Sequence, residues 1–322
     1  MALKQVLDII EFLDTKSITT QKINDFFAPY TSDGVTVEVT EVHDEPPEDT
    51  KKLTYFVAIK INGTSHSVPG RPATLGVIGR NGAIGAYPHR VGLVSDADGP
   101  IASLAVALKL MQMKQRGDQL AGDVIVTTHL STDVSITPRK PVDFMGMPVS
   151  SSTMNEYEVL KEMEAILSID ASKGNSIVKH RGFAISPTAM QGYILRVAPD
   201  LVGIMESTTG CPAVTFPISQ QDITPYDNGL YHFNSIMQPH VATHAPVVGV
   251  ALTAQSVVAG SDSSADHETD LAEAVRFCLE VAKRMSRDAC TFFDQSEWTL
   301  IRSKYPDLSV FQTYGSGTGQ TH

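Results

Sequence analysis

The chain has little basic charge and few thiols. Its 322 residues carry 25 Lys and Arg against 36 Asp and Glu, a formal net charge of −11. Phosphate backbones and anionic membranes are bound by clustered cations, so neither nucleic acid nor a membrane surface is an expected partner. No run of 18 or more apolar residues occurs, which excludes an ordinary membrane-spanning helix. The opening stretch MALKQVLDIIEFLDTK has acids where a signal peptide needs an apolar core, so secretion is not expected. Three cysteines, Cys211, Cys278 and Cys290, cannot all pair and show no Cys-x-x-Cys spacing. A reducing, cytoplasmic setting with buried thiols is the simplest reading. Two catalytic signatures are also missing. There is no Gly-x-Ser-x-Gly elbow. The glycine-rich segment Gly79–Gly85 does not fit Gly-x-Gly-x-x-Gly opening a helix, because Tyr87 and Pro88 interrupt the chain. A serine hydrolase and a dinucleotide site therefore lack their marks.

What is present is a chain long enough for one large domain or two small ones, 42% hydrophobic, without internal repeats. Leu3, Val6, Leu7, Ile10 and Leu13 recur at helical spacing. Ser17 or Thr19 is placed to cap a second helix holding Ile23, Phe26 and Phe27. Residues 35–42 alternate as a strand with one wet face, and 53–61 read as another. The acidic, proline-containing stretch 43–52 reads as a loop, and Asn62-Gly63 as a hairpin turn. Short apolar strands follow over 74–78, 91–94, 124–128, 165–169, 213–218 and 246–252. Helices are expected over 101–115, 199–208 and 270–284, the second opening on Pro199 and stopping at Gly210. Fully apolar strands alternating with helices predict an α/β fold, a mainly parallel sheet covered by helices on both faces. The expected organisation is one domain over 1–314, with an N-terminal helical and β elaboration over 1–70 and a flexible tail over 315–322. Residues 133–157 predict a long excursion near the site.

Ligands of open α/β sheets bind beyond the carboxyl ends of the strands. Asp96, His129 and Asp170 each fall at or just beyond an expected strand end, and His267-Glu268 precedes the last helix. Carboxylate plus imidazole suits zinc or manganese, and such an ion acidifies water or polarises a carbonyl. Asp96, His129, Asp170 and His267 are therefore candidate metal ligands, and His129 and Glu268 candidate proton carriers. Arg80 and Asn81 in the glycine-rich segment, and His180 and Arg181 in a basic cluster, are candidates to hold a substrate carboxylate. Each has a plainer reading beside it. Asp96 and Asp98 can cap a helix, His129 can be a core histidine, Asp170 can close an Asx turn, and His267-Glu268 can offset a helix dipole. Residues 222–229 are an ordinary loop or a substrate-recognition segment.

The order of these segments resembles the co-catalytic zinc aminopeptidases of the glutamyl and tetrahedral type, over roughly residues 1–286. Leu93–Gly99 with its helix resembles the bridging-aspartate motif. Asp123–His129 resembles the strand ending in the glutamate pair. Ile166–Asp170 resembles the strand ending in a metal-binding aspartate. The resemblance implies an aminopeptidase-like three-layer sandwich. In it Asp96 bridges metals, His129 takes a glutamate's place and Asp170 is a terminal ligand. The family's His-x-Asp is replaced by Arg80, Asn81 and Gly82, its catalytic glutamate by Thr128, and its last histidine falls near Ser263. Residues 91–99 and 180–187 also resemble, more closely and over nearly the whole chain, a family known only as a domain of unknown function.

The resulting expectation is a metal-assisted hydrolase of a small amide or short peptide with a degenerate site and a divalent cofactor, zinc or manganese. A homo-oligomer is expected by analogy. A non-catalytic small-ligand-binding protein on the same fold is the first alternative. A phosphohydrolase using Asp96 and Asp98 in an Asp-x-Asp motif is the second.

Overall fold

The computed structural model describes residues 2–43, 53–138, 140, 142–218, 235–305, 307–308 and 312. Most of the loop 43–52, the segment 222–229 and the tail 315–322 lie outside these.

Helix α1 (Leu3–Leu13) forms where its spacing predicts but buries Val6, Ile9 and Leu13, leaving Leu3 and Leu7 of the expected stripe exposed. Helix α2 (Thr20–Phe27) is capped by Thr19, whose hydroxyl accepts the Lys22 N–H at 3.2 Å. Strands β1 (Val35–His43) and β2 (Leu53–Ile61) pair antiparallel along nine residues. Asn62-Gly63 does not close a hairpin. A Cβ on Gly63 would lie 2.2 Å from the Ala121 carbonyl oxygen, and Thr64 and Ser65 donate to Leu120 and Ala121. Glycine here permits one loop to run against another, rather than a tight turn.

Strand β3 (Leu75–Gly79) enters the centre of the sheet. The apolar run 91–94 is not a strand. Gly92 has φ +90, Val91 is 77% exposed, and only Val94 makes an isolated bridge, to Ser263. A 3-10 turn, Ser95–Ala97, then leads into α3 (Asp98–Gln115). Helix α3 is buried on nearly all sides up to Leu108 because it lies between the sheet and α1. Small residues bring it close. A Cβ on Gly99 would sit 1.9 Å from the Arg80 carbonyl oxygen.

Strand β4 (Val124–Leu130) is followed by the expected excursion, which holds the two-residue strands β5 (Ile136–Thr137) and β6 (Phe144–Met145) and helix α4 (Ser151–Glu158). Strand β7 (Ala165–Ala171) returns to the sheet. Strands β8 (Gly182–Ile185), β9 (Ala189–Met190) and β10 (Tyr193–Ile194) are short. Helix α5 (Pro199–Thr209) ends on Gly210 at φ +73, the left-handed cap predicted for it. Residues 213–218 make only a single bridge, Thr215 to Ile185, rather than a strand. Pro212 and Pro217 lack the N–H that a longer ladder needs. A 3-10 stretch (Ser235–Ala242), β11 (Val247–Thr253), α6 (Glu268–Met285) and α7 (Gln295–Lys304) complete the described fold.

The main sheet runs β1-β2-β4-β3-β7-β11-β9-β10, with β8 also on β11. Its centre, β4-β3-β7-β11, is parallel, and the pairings outside it are antiparallel. Side chains alternate between two cores. Val77, Val126, Leu167 and Val250 join the layer of α1, α3, α5 and α6. Ile78, Ile125, Ile166 and Ala251 join Met163, Phe216, Ile236 and Met237 on the other face, where α4 and the 3-10 stretch lie. That period of two fixes where the polar side chains go. Arg80 follows Ile78 by two, His129 follows Ile125 by four and Asp170 follows Ile166 by four. All three therefore emerge at the carboxyl edge on the α4 face. No helix of the described residues is long and apolar enough to cross a membrane.

Candidate active-site cleft

A cleft enclosing about 1070 Å³ up to its open mouth lies at this carboxyl edge. Arg80, Asn81, Asp96, His129 and Asp170 line it, five residues taken from four separate stretches of sequence. Met147 and Met154 from the excursion, together with Phe216, add apolar lining. His180, Arg181, His267 and Glu268 are not among its lining residues. Arg181 donates to Asp270 Oδ1 at 3.2 Å and to Thr269 at 3.2 Å, on the first turn of α6, with its side chain 69% exposed. His267 is the N-cap residue of α6 without a side-chain cap, its Nδ1 3.8 Å from Asp270 Oδ2. Glu268 is exposed in the first turn, where a carboxylate offsets the helix dipole.

His129 is held on both nitrogens. The Gly82 N–H donates to Nε2 at 3.0 Å, so Nε2 carries the lone pair and the proton is on Nδ1. Nδ1 in turn donates to Glu158 Oε1 at 2.5 Å. The other carboxylate oxygen of Glu158 accepts from Arg80 Nη1 at 2.6 Å. Arg80 and Glu158 are both buried, and so is His129. In this arrangement neither nitrogen of His129 is open to a metal or a substrate proton. The imidazole bridges the Gly82 loop to α4 instead.

A second charged group borders the cleft. Lys173, two residues beyond β7, places its ammonium 2.5 Å from Asp98 Oδ2 and 2.5 Å from the Ala265 carbonyl oxygen. Its side chain and that of Asp98 are 2% and 0% exposed. Asp98 shares a side-chain hydrogen bond with Asp266. Burial pushes the Asp98 carboxyl above the usual carboxylate range, and the charge of Lys173 pulls it back. Burial and the neighbouring Asp98 charge hold Asp266 well above that range. Asp98 and Asp266 thus face each other beside the Lys173 ammonium. Asp98 opens α3, but its side chain does not cap it. Asp96, in the 3-10 turn, lies against Gly260, where a Cβ would come within 2.3 Å of Oδ1.

Sequence reasoning missed Glu158, Lys173 and Asp266. Glu158 is 29 residues from His129 and 78 from Arg80, and nothing in its helix marks it. Lys173 had a signal, a basic residue in the loop that follows a strand-end aspartate. Among the described residues no three His, Cys, Asp or Glu side chains form a group suited to a metal ion. The expected donors do not fit a resident zinc or manganese: His129 has both nitrogens bound, and His267 is absent from the cleft wall.

Several solved structures resemble this fold. Glutaminyl cyclase from Porphyromonas gingivalis is matched with a TM-score of 0.50 at 11% identity, over 89% of this chain and 96% of that one. A Zn-dependent exopeptidase from Parabacteroides distasonis is matched with a TM-score of 0.47 at 12% identity, over 88% and 96%. A tomato leucine aminopeptidase mutant is matched at 0.48 and 12%, over 87% of this chain and 61% of that one. The chain therefore spans about three fifths of that aminopeptidase. At these identities the likeness is one of fold, a mostly parallel α/β sheet flanked by helices. No curated protein sequence matches the chain. A family model described as "Protein of unknown function (DUF1177)" matches residues 46–315, most of its length, and the chain belongs to that family.

Proposed function

We propose that the cleft recognises a small amino-acid-like molecule, a free amino acid, its amide or a short peptide. The observation that carries this reading is the charge pattern of the cleft. Arg80 and Lys173 line it, each anchored by a buried carboxylate, and Asp96 and Asp170 line the same space. A ligand with an ammonium and a carboxylate or carbonyl meets both signs at once. Met147, Met154 and Phe216 supply an apolar surface for a side chain. Charged groups held by buried partners are pre-organised, so little side-chain entropy is lost on binding. A concave, mostly apolar site with a few fixed polar groups is the usual form of a small-molecule site.

Hydrolysis of an amide or peptide is the second reading. It is favoured by the pair of carboxylates, Asp96 and Asp170, beside the cleft's two cations. The phosphohydrolase reading is weaker, because it needs Asp98 at the site and Asp98 is fully buried under Lys173.

The test is thermal melting of the purified protein with a panel of amino acids, amino-acid amides and dipeptides, with and without EDTA. Released amine is measured in the same samples. Recognition predicts stabilisation by at least one member, lost in Asp170→Asn. Stabilisation without released amine supports binding alone, and EDTA-sensitive release supports metal-assisted hydrolysis. No shift with any member, in wild type, refutes the proposal.

A further inference from the structure

Lys173 is a full positive charge in a place where a protein normally avoids one. Its side chain is 2% exposed, its ammonium lies 2.5 Å from Asp98 Oδ2, and it donates to the Ala265 carbonyl oxygen at 2.5 Å. It closes a group of acids: Asp98 at the start of α3, Asp266 hydrogen-bonded to it, and Asp96 near enough to bear on Asp266. These acids come from the two stretches that flank the carboxyl ends of the strands, 96–98 and 266. A fully buried carboxylate such as Asp98, with two further acids beside it, needs a cation or enough donors. A divalent ion is one solution and needs several oxygen or nitrogen ligands around it. Here Asp98, Asp266 and the Ala265 carbonyl present oxygens, and an ammonium stands among them.

We infer that the Lys173 ammonium is the built-in cation of this acidic group, taking the charge-balancing place of a divalent metal, so that the native cleft is assembled without one. The inference holds whatever molecule the cleft takes, and it goes beyond the ligand class. Three donors on Nζ suit it to this place, because one ammonium can reach both a carboxylate and a carbonyl. The register supports it. Lys173 lies three residues past Asp170, on the loop that leaves β7, and its carbonyl accepts the Val258 N–H at 3.2 Å. The backbone that presents the ammonium is thus tied to the loop leading to Asp266. Lys173 acts as a positioning residue: it holds the 96–98 turn and the 265–266 loop in register beside the cleft.

The test uses thermal melting of the full chain with no ligand added, so it succeeds or fails independently of amino-acid recognition. Wild type is expected to melt at the same temperature with EDTA as with added manganese chloride. Lys173→Met leaves Asp98 buried and unbalanced, and is expected to melt lower by roughly 5–10 °C. If Lys173→Met does not fold, the double variant Asp98→Asn with Lys173→Met, which removes both charges, is expected to fold and melt closer to wild type. Lys173→Ala empties the space, and its melting temperature is expected to rise with millimolar manganese and fall back with EDTA. An EDTA-induced drop in wild type overturns the inference. So does Lys173→Met melting within about 1 °C of wild type, a shift well below that of losing one buried partner. A double variant no better than the single one also overturns it. An alanine variant indifferent to manganese overturns it too, since the emptied place would then not be one a divalent ion can take.

Discussion

Glu158→Gln isolates the second buried charge system of the cleft. Glu158 is wholly buried, with Arg80 Nη1 at 2.6 Å and His129 Nδ1 at 2.5 Å. At an effective dielectric of about 20, two unit charges 2.6 Å apart attract by about 6 kcal/mol. Most of that is offset by the cost of taking both ions out of water, so the gross attraction is not the loss on mutation. The loss comes from what remains. Glutamine keeps the shape and can still accept the His129 N–H, but it leaves the buried Arg80 guanidinium without a counter-charge. Removing one partner of a buried pair costs about 3–5 kcal/mol, and that is the expected destabilisation. Urea denaturation with the slope m checked against wild type measures it. The cycle completed with Arg80→Met and the double variant should show a coupling of at least about 1 kcal/mol, since the two side chains are in contact. A Glu158→Gln variant within about 1 kcal/mol of wild type refutes the reasoning, because it would mean that Arg80 is not desolvated as the structure has it.

Three further outcomes follow from other parts of the molecule. Asp266 has a folded-state pKa well above the ordinary carboxylate value, so the native state keeps its proton longer than the unfolded chain. Stability therefore falls as pH rises from the ordinary range through the raised value, and Asp266→Asn, fixed in a neutral form, should flatten that slope in urea melts taken upward from the ordinary carboxylate range. A steeper slope in the variant contradicts the assignment. Gly82→Ala would set a Cβ 2.0 Å from the His129 carbonyl oxygen and should cost roughly 1–3 kcal/mol. Gly203→Ala, exposed on α5 with nothing within 4 Å of the new methyl, should stabilise by about 0.5–1 kcal/mol. If calorimetry ranks the two the other way, the packing of the 80–82 loop on β4 is wrong. Burial pushes the Cys290 thiol up to about 12 and raises that of Cys278 as well, whereas Cys211 is exposed. Native protein should therefore show one fast thiol toward an aromatic disulfide and three after denaturation; a second fast native thiol would contradict the burial.

Local pattern alone determined most of the architecture. The helix of α1, a cap at Ser17 or Thr19, the Pro199-to-Gly210 limits of α5 and the apolar runs of β3, β4, β7 and β11 are read from neighbours within a few residues, where spacing and capping decide. It misled where apolar residues occur without the means to pair. The 91–94 run holds a glycine at positive φ, and 213–218 lies between two prolines. The site was half legible for the same reason. His129 and Asp170 could be placed at strand ends, because strand period and the carboxyl-edge rule are local facts about the chain, whereas Asp96, expected at the end of a strand over 91–94, lies in a 3-10 turn. Their roles were not local. His129 reads as a metal ligand in the sequence and as a bridge in the fold. The difference is made by Glu158 and by the Gly82 N–H, both distant in sequence and brought to it by α4 and the β3 loop. The net charge of −11 likewise set an acidic balance without saying which acids stand alone. Only tertiary structure put Lys173 on Asp98 and Arg80 on Glu158. Ion pairing acts through space over a few ångströms, and a one-dimensional pattern carries no record of which distant side chains folding brings that close.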